Sequence, residues 1–335
     1  MLSRELARCA AESTVACVAV EPTAEGVLTA VGAAYLARVP ADAMRLVRAD
    51  ALQPRLDEHV VAVETDTAFA VRVHRGLERA LRQGCDRALS ESRCPSCRRR
   101  CTRFFAYLAA SDAKDVPECG HRFLRRAFAE HHAVFCHNSD PDVGRAEELA
   151  TAVSQECERA RQFVRFSHAA DGSFVAVHRP NADVVPLVAG HFKRRMGTER
   201  FALVDPQHGR VALHAEGRLT LVRVPQKDAE RLADSVTLAV DEPYVRALWK
   251  RFYDALELPG RRADQRGYDL RGSFMPQRLW AGLPELDPRT DTAWSFVPAA
   301  YRGAPDGPLL DMEKSTDSRA GSGTCPVLPA SGSRG

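Results

Sequence analysis

The sequence predicts an α+β protein, with an N-terminal helical region packed against a C-terminal antiparallel sheet that is flanked by helices. In the first half, apolar residues recur every three to four positions, which is the period of a helix with one buried face. From residue 163 onward the period falls to two, as in strands with one buried face. The strand-like runs lie around Asp171-Gly172, His208-Gly209 and Glu216-Gly217, which are pairs that favour tight turns.

The helices can be placed in chain order. Residues 1–20 show no clear periodicity and are expected to form a poorly defined N-terminal segment. A mainly helical region follows over 21–160, with an irregular Cys/Arg-rich insertion at 84–137. Asp140 and Pro141 form a strong helix start, because an aspartate caps the first turn and proline suits its first position. The apolar stripes of the helices are Leu28, Val31 and Tyr35; Phe69, Val73, Leu77 and Leu81; Val143, Ala146, Ala150 and Val153; and Tyr244, Leu248, Phe252 and Ala255.

The second half is expected to form one antiparallel α+β domain over 161–290. A short helix is predicted at 186–196 between the strand candidates. The tail at 302–335 is rich in Gly, Pro and Ser, so it cannot offset the entropy of ordering and is predicted to be disordered. The strand candidates are 163–166, 173–178, 201–204, 211–214 and 219–224.

The composition excludes several classes of protein. A chain of 335 residues that is 45% hydrophobic has enough apolar material for one large or two ordinary domains, which excludes a disordered chain or a miniprotein. No apolar stretch reaches the ~20 residues that cross a bilayer, and charged residues interrupt the N-terminus where a signal peptide needs an apolar core. We therefore expect a cytoplasmic location and no membrane partner.

Arginine strongly outnumbers lysine, 42 to 5, although the net charge is only +3. A GC-rich genome would place arginine everywhere, whereas selection for phosphate binding would concentrate it on particular faces. Part of the skew is expected to be genomic. A stripe of arginines at helical spacing and an acid-free run at 93–103 next to aromatic residues suit phosphate contacts, and solvated helix faces are the alternative. The predicted nucleic-acid-binding residues are Arg72, Arg75, Arg79, Arg82, Arg98, Arg99, Arg100, Arg103, Arg165, Arg194, Arg195 and Arg278.

A cysteine cluster predicts a structural zinc site. Cys94, Cys97, Cys101, Cys119 and His121 give the pattern C-x2-C-x3-C followed by C-x-H, which supplies the thiols and imidazole that tetrahedral zinc needs. The alternative is a set of free, partly buried thiols in a reducing compartment. No phosphate-binding loop, dinucleotide fingerprint, nucleophile elbow or H-E-x-x-H motif occurs in the sequence, so these enzyme classes are not indicated.

Several segments together resemble a bacterial family of uncharacterised proteins associated with DNA metabolism or DNA repair. In that family a radical-SAM protein is a frequent genomic neighbour, and the C-terminal domain also occurs fused to uracil-DNA-glycosylase-like proteins. The resemblance covers about 20–290. It is carried by FVRF (163–166), HRPNADVVPLVAGHF (178–192), FALVDPQHGRVALHAEG (201–217) and FMPQRLW (274–280), and more weakly by EGVLTAVGAAY (25–35), ETDTAFAVRVHRGL (64–77) and DPDVGRAEELATAVSQECERARQFVRF (140–166).

The resemblance implies a nucleic-acid-associated protein that acts in DNA repair or DNA modification. It leaves open a hydrolase or glycosylase-like enzyme acting on a damaged base, with His191 and Asp205 as an acid/base pair and Glu25 as a positioning carboxylate. It also leaves open an adaptor for a radical-SAM partner. For His191 the alternative is a hydrogen-bonded core imidazole, and for Asp205 it is ordinary capping of a turn.

The chain departs from the family pattern at two places. Residues 21–24, Glu-Pro-Thr-Ala, stand where members carry Asp-Gly-Ser/Thr-Phe. Residues 267–273 lack the polar Asn and Arg-Gln stretch that precedes FMP in members. If the stretch before FMP contacts nucleic acid or a ligand in the family, that contact is expected to be lost or changed in this chain.

Overall fold

The computed structural model describes residues 2–83, 97–137, 139–255 and 276–284. It confirms the α+β class, with two sheets and helices packed against them. The predicted tail at 302–335 lies outside the described residues. Over the described ranges, the helices are too short or too polar to cross a membrane.

The first sheet is parallel and lies where the sequence predicts only helices and a poorly defined segment. Its central strand, with the sequence VACVAV, is buried over five of its six residues, so it lacks the alternation that marks a half-exposed strand. The prediction for 1–20 is wrong for this reason. The strand order is β2-β1-β3, and β1 pairs in parallel with both neighbours. The elements are α1 (Leu2–Ala11), β1 (Val15–Val20), α2 (Ala24–Leu36), β2 (Met44–Arg48) and β3 (Glu58–Ala62).

Helices α2 and α3 (Thr67–Arg82) form a closely packed pair. Both begin at a side-chain cap, because Thr23 Oγ1 accepts a hydrogen bond from a backbone N–H of α2, and Asp66 Oδ1 accepts one from α3. Gly32 sets the close approach, since a Cβ at this position would lie 2.6 Å from Val73 Cγ2. The packing fixes which face of α3 remains exposed.

Two helices, α4 (Cys97–Ala109) and α5 (Val116–Glu130), form within the segment 84–137 that is predicted to be irregular. The prediction is wrong for their residues. Aromatic side chains pack the two helices together: the ring centroids of Phe104 and Phe123 are 4.6 Å apart, and Phe135 contacts both rings. Residues 84–96 lie outside the described ranges.

The long helix α6 (Pro141–Phe163) joins the two halves of the protein. Its predicted start is confirmed, because Asp140 Oδ1 accepts hydrogen bonds from Asp142 N and Val143 N at 3.0 and 3.2 Å. Its N-terminal part, as far as Ala150, belongs to the apolar core around the first sheet, and from Val153 onward it belongs to the core around the second. The two cores therefore meet on a single helix.

The second sheet has five strands whose spatial order is their chain order. Three pairs are antiparallel, as predicted, but β5 and β6 are parallel because α7 crosses between them. A wholly antiparallel sheet is thus wrong at this pair. The strand predicted at 163–166 is also wrong, because Phe163 ends α6 and residues 164–166 are irregular. The elements are β4 (Ser167–His168), β5 (Phe174–Val177), α7 (Val185–Met196), β6 (Phe201–Asp205), β7 (Arg210–Ala215), β8 (Arg218–Arg223), α8 (Gln226–Asp234), α9 (Glu242–Ala255) and a 3-10 turn (Gln277–Gly282).

Candidate functional site

A cavity of about 340 Å³ lies beside the outer strands of the second sheet. Its walls come from the end of α6, from β5, from α8 and α9, and from the 3-10 turn. Among the described residues, the lining contains four arginines and no acidic side chain. We call this site the arginine cavity; its arginines are Arg165, Arg179, Arg246 and Arg278.

Two of these arginines are fixed by buried carboxylates that lie behind the lining. Arg278 Nη2 donates to both carboxylate oxygens of Glu156, at 2.8 and 2.7 Å. Arg246 Nε donates to Glu242 Oε1 at 2.9 Å, and its Nη2 donates to Ser167 Oγ at 2.6 Å. Glu156 and Glu242 are only 3% and 5% exposed, so these contacts hold the guanidinium groups in defined orientations.

The other two arginines have more exposed settings. Arg179 Nη2 donates to Glu230 Oε2 at 2.7 Å, and both side chains are about half exposed. Arg165 Nη1 donates to the carbonyl oxygen of Gln162 at 2.8 Å, and its guanidinium lies 5.8 Å from the centroid of the Trp249 ring. Each of the four arginines is therefore anchored by at least one contact.

His178 is the most buried polar side chain of the arginine cavity, at 5% exposure. Burial, together with the positive charge of Arg278, lowers the pKa of His178 to about 4 although Glu156 opposes the shift. The imidazole is consequently neutral at pH 7. Its Nε2 atom is buried and has no hydrogen-bond partner among the described residues, and the same holds for Arg278 Nη1. Such groups carry a desolvation cost that a ligand can relieve.

A second cluster links the two halves of the protein through one histidine. His208 Nδ1 lies 2.6 Å from Asp205 Oδ2, and His208 Nε2 lies 2.9 and 3.1 Å from the two carboxylate oxygens of Asp112. Asp205 ends β6 and is fully buried, whereas Asp112 follows α4 and is partly exposed. We call these three residues the Asp–His–Asp link.

The Asp–His–Asp link holds a positively charged imidazole. Burial disfavours that charge, but the hydrogen bonds that the imidazolium donates to Asp112 and Asp205 outweigh burial and raise the pKa of His208 to about 10. Burial also raises the pKa of Asp205, and the contacts with His208 oppose that shift. At neutral pH the proton resides on His208, so this residue is a poor general base. Its positive charge instead attracts the carboxylates of Asp112 and Asp205 and so holds the two halves of the protein together.

Neighbouring contacts strengthen the same junction. Arg210 Nε donates to Asp183 Oδ2 at 2.7 Å, and the backbone N–H of Asp183 donates to Ala110 O at 2.9 Å. At the carboxyl end of β1, Glu21 accepts a hydrogen bond from Arg223 of β8 at 2.7 Å. The carboxyl edge of the first sheet is therefore held against the second sheet.

The Asp–His–Asp link gives a testable pH dependence. Because the pKa of His208 is higher in the folded state than its ordinary value of 6.5, its contribution is fully present below pH 6.5 and is lost as the pH rises toward 10. Since Asp112 is partly exposed, we expect a loss of about 2 kcal/mol across that window. Urea unfolding of the wild type and His208→Gln at several pH values measures it.

The difference in unfolding free energy between the wild type and His208→Gln reports the titration of His208 alone. Both proteins contain the same buried thiols, which also titrate at alkaline pH, so the thiol contribution cancels. The gap in unfolding free energy should be widest at pH 6 and should narrow steadily above it. A gap that does not depend on pH would show that folding leaves the pKa of His208 unchanged, so that the Asp–His–Asp link does not favour a charged imidazole.

The comparisons with known proteins identify a family. A family model described as a domain of unknown function, DUF4130, matches residues 114–285, which is just over half of the chain. This chain belongs to the DUF4130 family. No curated protein and no solved structure matched it. The described lining of the arginine cavity lies entirely inside the DUF4130 region, whereas Asp112 and the arginine stripe of α3 precede it.

The structure separates the three predicted catalytic residues. Asp205 lies in the Asp–His–Asp link, with two backbone N–H groups bound to its Oδ1 at 3.0 and 3.2 Å. His191 lies on α7, where burial and neighbouring arginines lower its pKa. Glu25 is exposed in the first turn of α2. In the described part of the chain, no hydrogen bond or ion pair joins one of these side chains to another, and their catalytic roles stay predictions.

The predicted nucleic-acid-binding arginines fall into three groups. Arg72, Arg75, Arg79 and Arg82 are all exposed on α3, and Arg103 is exposed on α4. Two more exposed arginines, Arg194 and Arg195, lie in the last turn of α7. The remaining arginines belong to the arginine cavity or have side chains that are not described; they are Arg165 and Arg278, and Arg98, Arg99 and Arg100.

The described part of the predicted zinc site is buried in the first core. Cys119 packs among apolar residues of α5, and burial raises its pKa to about 12. His121 is also fully buried, and its Nε2 accepts a hydrogen bond from Arg125 at 3.3 Å. The described residues contain no group of three or more potential metal ligands. The remaining predicted ligands, Cys94, Cys97 and Cys101, have side chains outside the described set, so a zinc site stays a prediction.

Four residues that matter in these sites are not predicted from the sequence: Asp112, Glu156, His178 and His208. Two of the contacts that define the sites join residues far apart in the chain: Asp112 and His208 are 96 positions apart, and Glu156 and Arg278 are 122 apart. A weak local signal existed for His208, because it stands three residues after Asp205 in a predicted turn. Glu156 was detectable only as an acidic residue next to the apolar stripe of α6.

Proposed function

We propose that this protein is a nucleic-acid-associated protein of DNA repair or DNA modification that contacts phosphates through the exposed arginines of α3. The observation that carries the proposal is the placement of Arg72, Arg75, Arg79 and Arg82, which all leave the same exposed side of one helix. Only Arg82 has a nearby carboxylate on its own helix, Glu78, at 3.9 Å. The resemblance of segments 163–166, 178–192, 201–217 and 274–280 to DNA-metabolism proteins supports the same function.

The charge of the stripe explains how a protein of low net charge can bind DNA. A net charge of +3 over 335 residues gives little long-range attraction by itself. Four exposed guanidinium groups on one helix face concentrate positive charge, and each can bind a phosphate through two N–H groups. Binding of this kind is independent of base sequence and weakens steeply as salt rises.

A charge-matched pair of triple variants tests the stripe. In Arg72→Gln/Arg75→Gln/Arg79→Gln, we expect the affinity for single- or double-stranded DNA to fall at least about tenfold near 50 mM NaCl. The slope of log Kd against log salt should fall by about 0.9 for each lost contact with duplex phosphate. Fluorescence anisotropy across a salt series measures both quantities.

The control is a triple variant with the same change in net charge at exposed arginines of three other helices. Arg8, Arg122 and Arg231 already pair with an acidic residue three or four positions away in the chain, so their replacement by Gln should change DNA affinity much less. Equal losses in the two triple variants would contradict the stripe as an interface. A wild-type protein that fails to bind DNA near 50 mM salt would contradict the proposed function itself.

The enzyme hypothesis is less well supported by the arrangement of its residues. Both oxygens of Asp205 already accept hydrogen bonds, and His208 holds its proton at neutral pH. An acid/base role for Asp205 would need the Asp–His–Asp link to open. For this reason we propose DNA binding ahead of hydrolysis of a damaged base. Three further proposals come from the sequence. Co-purification tests a radical-SAM partner, metal analysis tests a structural zinc ion at the cysteine cluster, and cell fractionation tests a cytoplasmic location.

A further inference from the structure

The arginine cavity has the charge of an anion-binding site. Its described lining carries four guanidinium groups and no carboxylate, because the acids that pair with Arg179, Arg246 and Arg278 lie behind these side chains. Those acids orient the guanidinium groups and reduce the cost of gathering like charges. The arrangement suits a phosphate better than a carboxylate, because a phosphate offers three oxygens to several guanidinium groups at once.

Two buried atoms of the arginine cavity need a hydrogen-bond partner. His178 is 95% removed from solvent, and its Nε2 makes no hydrogen bond to the described residues; neither does Arg278 Nη1. These atoms belong to one neighbourhood, since the charges of Arg278 and Glu156 both act on His178. A neutral imidazole can donate or accept a hydrogen bond, depending on its tautomer, so it can meet the polar edge of a heterocycle.

The remaining walls indicate the body of the ligand. Apart from Ser167 they are mostly apolar, with Phe163 among the aliphatic side chains, so a ligand with many hydroxyl groups, such as a sugar phosphate, would lose hydrogen bonds to water on entry. A planar base can contact such walls and keep its polar edge toward an imidazole. The volume of about 340 Å³ lies at the lower end of the ~300–1,000 Å³ typical of ligand sites, which fits one small ligand. The aliphatic residues are Val175, Val177, Val236, Leu238, Leu279 and Leu283.

We propose that the arginine cavity binds a single nucleotide, with its phosphate on the guanidinium groups and its base between the aliphatic walls and His178. The nucleotide is either free in solution or belongs to a DNA strand. In the second case the inference deepens the proposed function and rests on it. The binding site is separate from the stripe on α3, so the two can be disrupted independently.

Isothermal titration of the full chain tests this inference. The probes are the four 2′-deoxynucleoside 5′-monophosphates, inorganic phosphate and a 5′-phosphorylated single-stranded oligonucleotide. Arg179→Gln removes a guanidinium whose partner Glu230 is half exposed, so it leaves no buried charge. His178→Phe removes Nε2 but keeps a ring of similar shape. Arg231→Gln on α8 is the matched control, because Arg231 is exposed and does not line the cavity.

We expect at least one monophosphate to bind the wild type. Arg179→Gln and His178→Phe should each lower the affinity for that monophosphate about tenfold, the usual effect of losing a charge-assisted or buried hydrogen bond. Arg231→Gln should bind like the wild type. If only the oligonucleotide loses affinity in the two cavity variants, the nucleotide comes from a strand; if only the monophosphates do, it is free. Thermal unfolding checks both variants, and Arg179→Gln alone suffices if His178→Phe does not fold.

Two results would overturn the nucleotide site. One is unchanged affinity for every probe in the cavity variants, and the other is inorganic phosphate that binds as tightly as all four monophosphates. If the cavity variants have no effect while the α3 triple variant still loses DNA affinity, this inference falls and the proposed function stands. If the monophosphates bind but no DNA does, the proposed function falls and the cavity is a site for free nucleotides.

Discussion

Gly209→Ala is expected to destabilise the protein by at least about 3 kcal/mol. Gly209 has a positive φ of +61°, and a Cβ at this position would lie 2.1 Å from the carbonyl oxygen of Val224. Neither backbone can move away easily, because Val224 N donates a hydrogen bond to Gly209 O at 2.9 Å beside the β7–β8 ladder. Relief of the clash would also displace His208 from Asp205, so the Asp–His–Asp link should weaken with it.

Gly217→Ala is the matched control for the backbone conformation. Gly217 also has a positive φ, +71°, but a Cβ there would meet nothing within 4 Å. Its replacement should therefore lower the free energy of unfolding only by the strain of a left-handed alanine, about 1–2 kcal/mol. Chemical denaturation of both variants gives the difference, which measures the close approach at Gly209. Equal losses would show that the β7–β8 strands shift and that the contact with Val224 is not a constraint.

The parts of the fold that follow local rules are the ones that the sequence predicts. Asp140 and Pro141 start a helix because capping involves only neighbouring residues, and the turn at Glu216-Gly217 is marked by its glycine. The central strand Val15–Val20 is buried almost throughout and gives no alternation to detect. The parallel pairing of β5 with β6 depends on where a crossover helix packs, which no local pattern encodes.

The candidate sites are predictable to the same limited extent. The sequence selects Asp205, Arg165 and Arg278, each of which lies in one of the two clusters. It pairs Asp205 with His191, yet the histidine bound to Asp205 is His208, three residues along in the same turn. It treats the arginines as exposed phosphate contacts, but Arg278 is bound to a buried acid on a distant helix. The sequence therefore predicts which kinds of residue form the sites, but only the tertiary structure shows which residues contact each other.

Glu156→Ala, behind the lining of the arginine cavity, should be the most damaging replacement among the charged side chains of this site, with an expected loss of about 3 kcal/mol. Glu156 is 3% exposed and accepts hydrogen bonds from Arg278, from Arg159 at 3.0 Å and from the backbone N–H of Asn181 at 3.1 Å. Its loss leaves the Arg278 guanidinium and a backbone N–H without their acceptor. The partial exposure of Arg278 places the expected loss at the low end of the ~3–5 kcal/mol seen for broken buried pairs.

Glu158→Ala provides the control on the same helix. Glu158 pairs with Arg161 at the surface, so its removal should cost less than about 1 kcal/mol by urea unfolding. The double replacement Glu156→Met/Arg278→Met then separates two roles of the buried pair. If the pair mainly orients Arg278 for a ligand, the double variant should recover most of the stability lost by Glu156→Ala. It should still fail to bind monophosphates, because apolar side chains can replace a buried ion pair in packing but not in anion binding. Stability that stays low in the double variant would show that the hydrogen bonds from Arg159 and Asn181, rather than the pair with Arg278, are what Glu156 contributes to the fold.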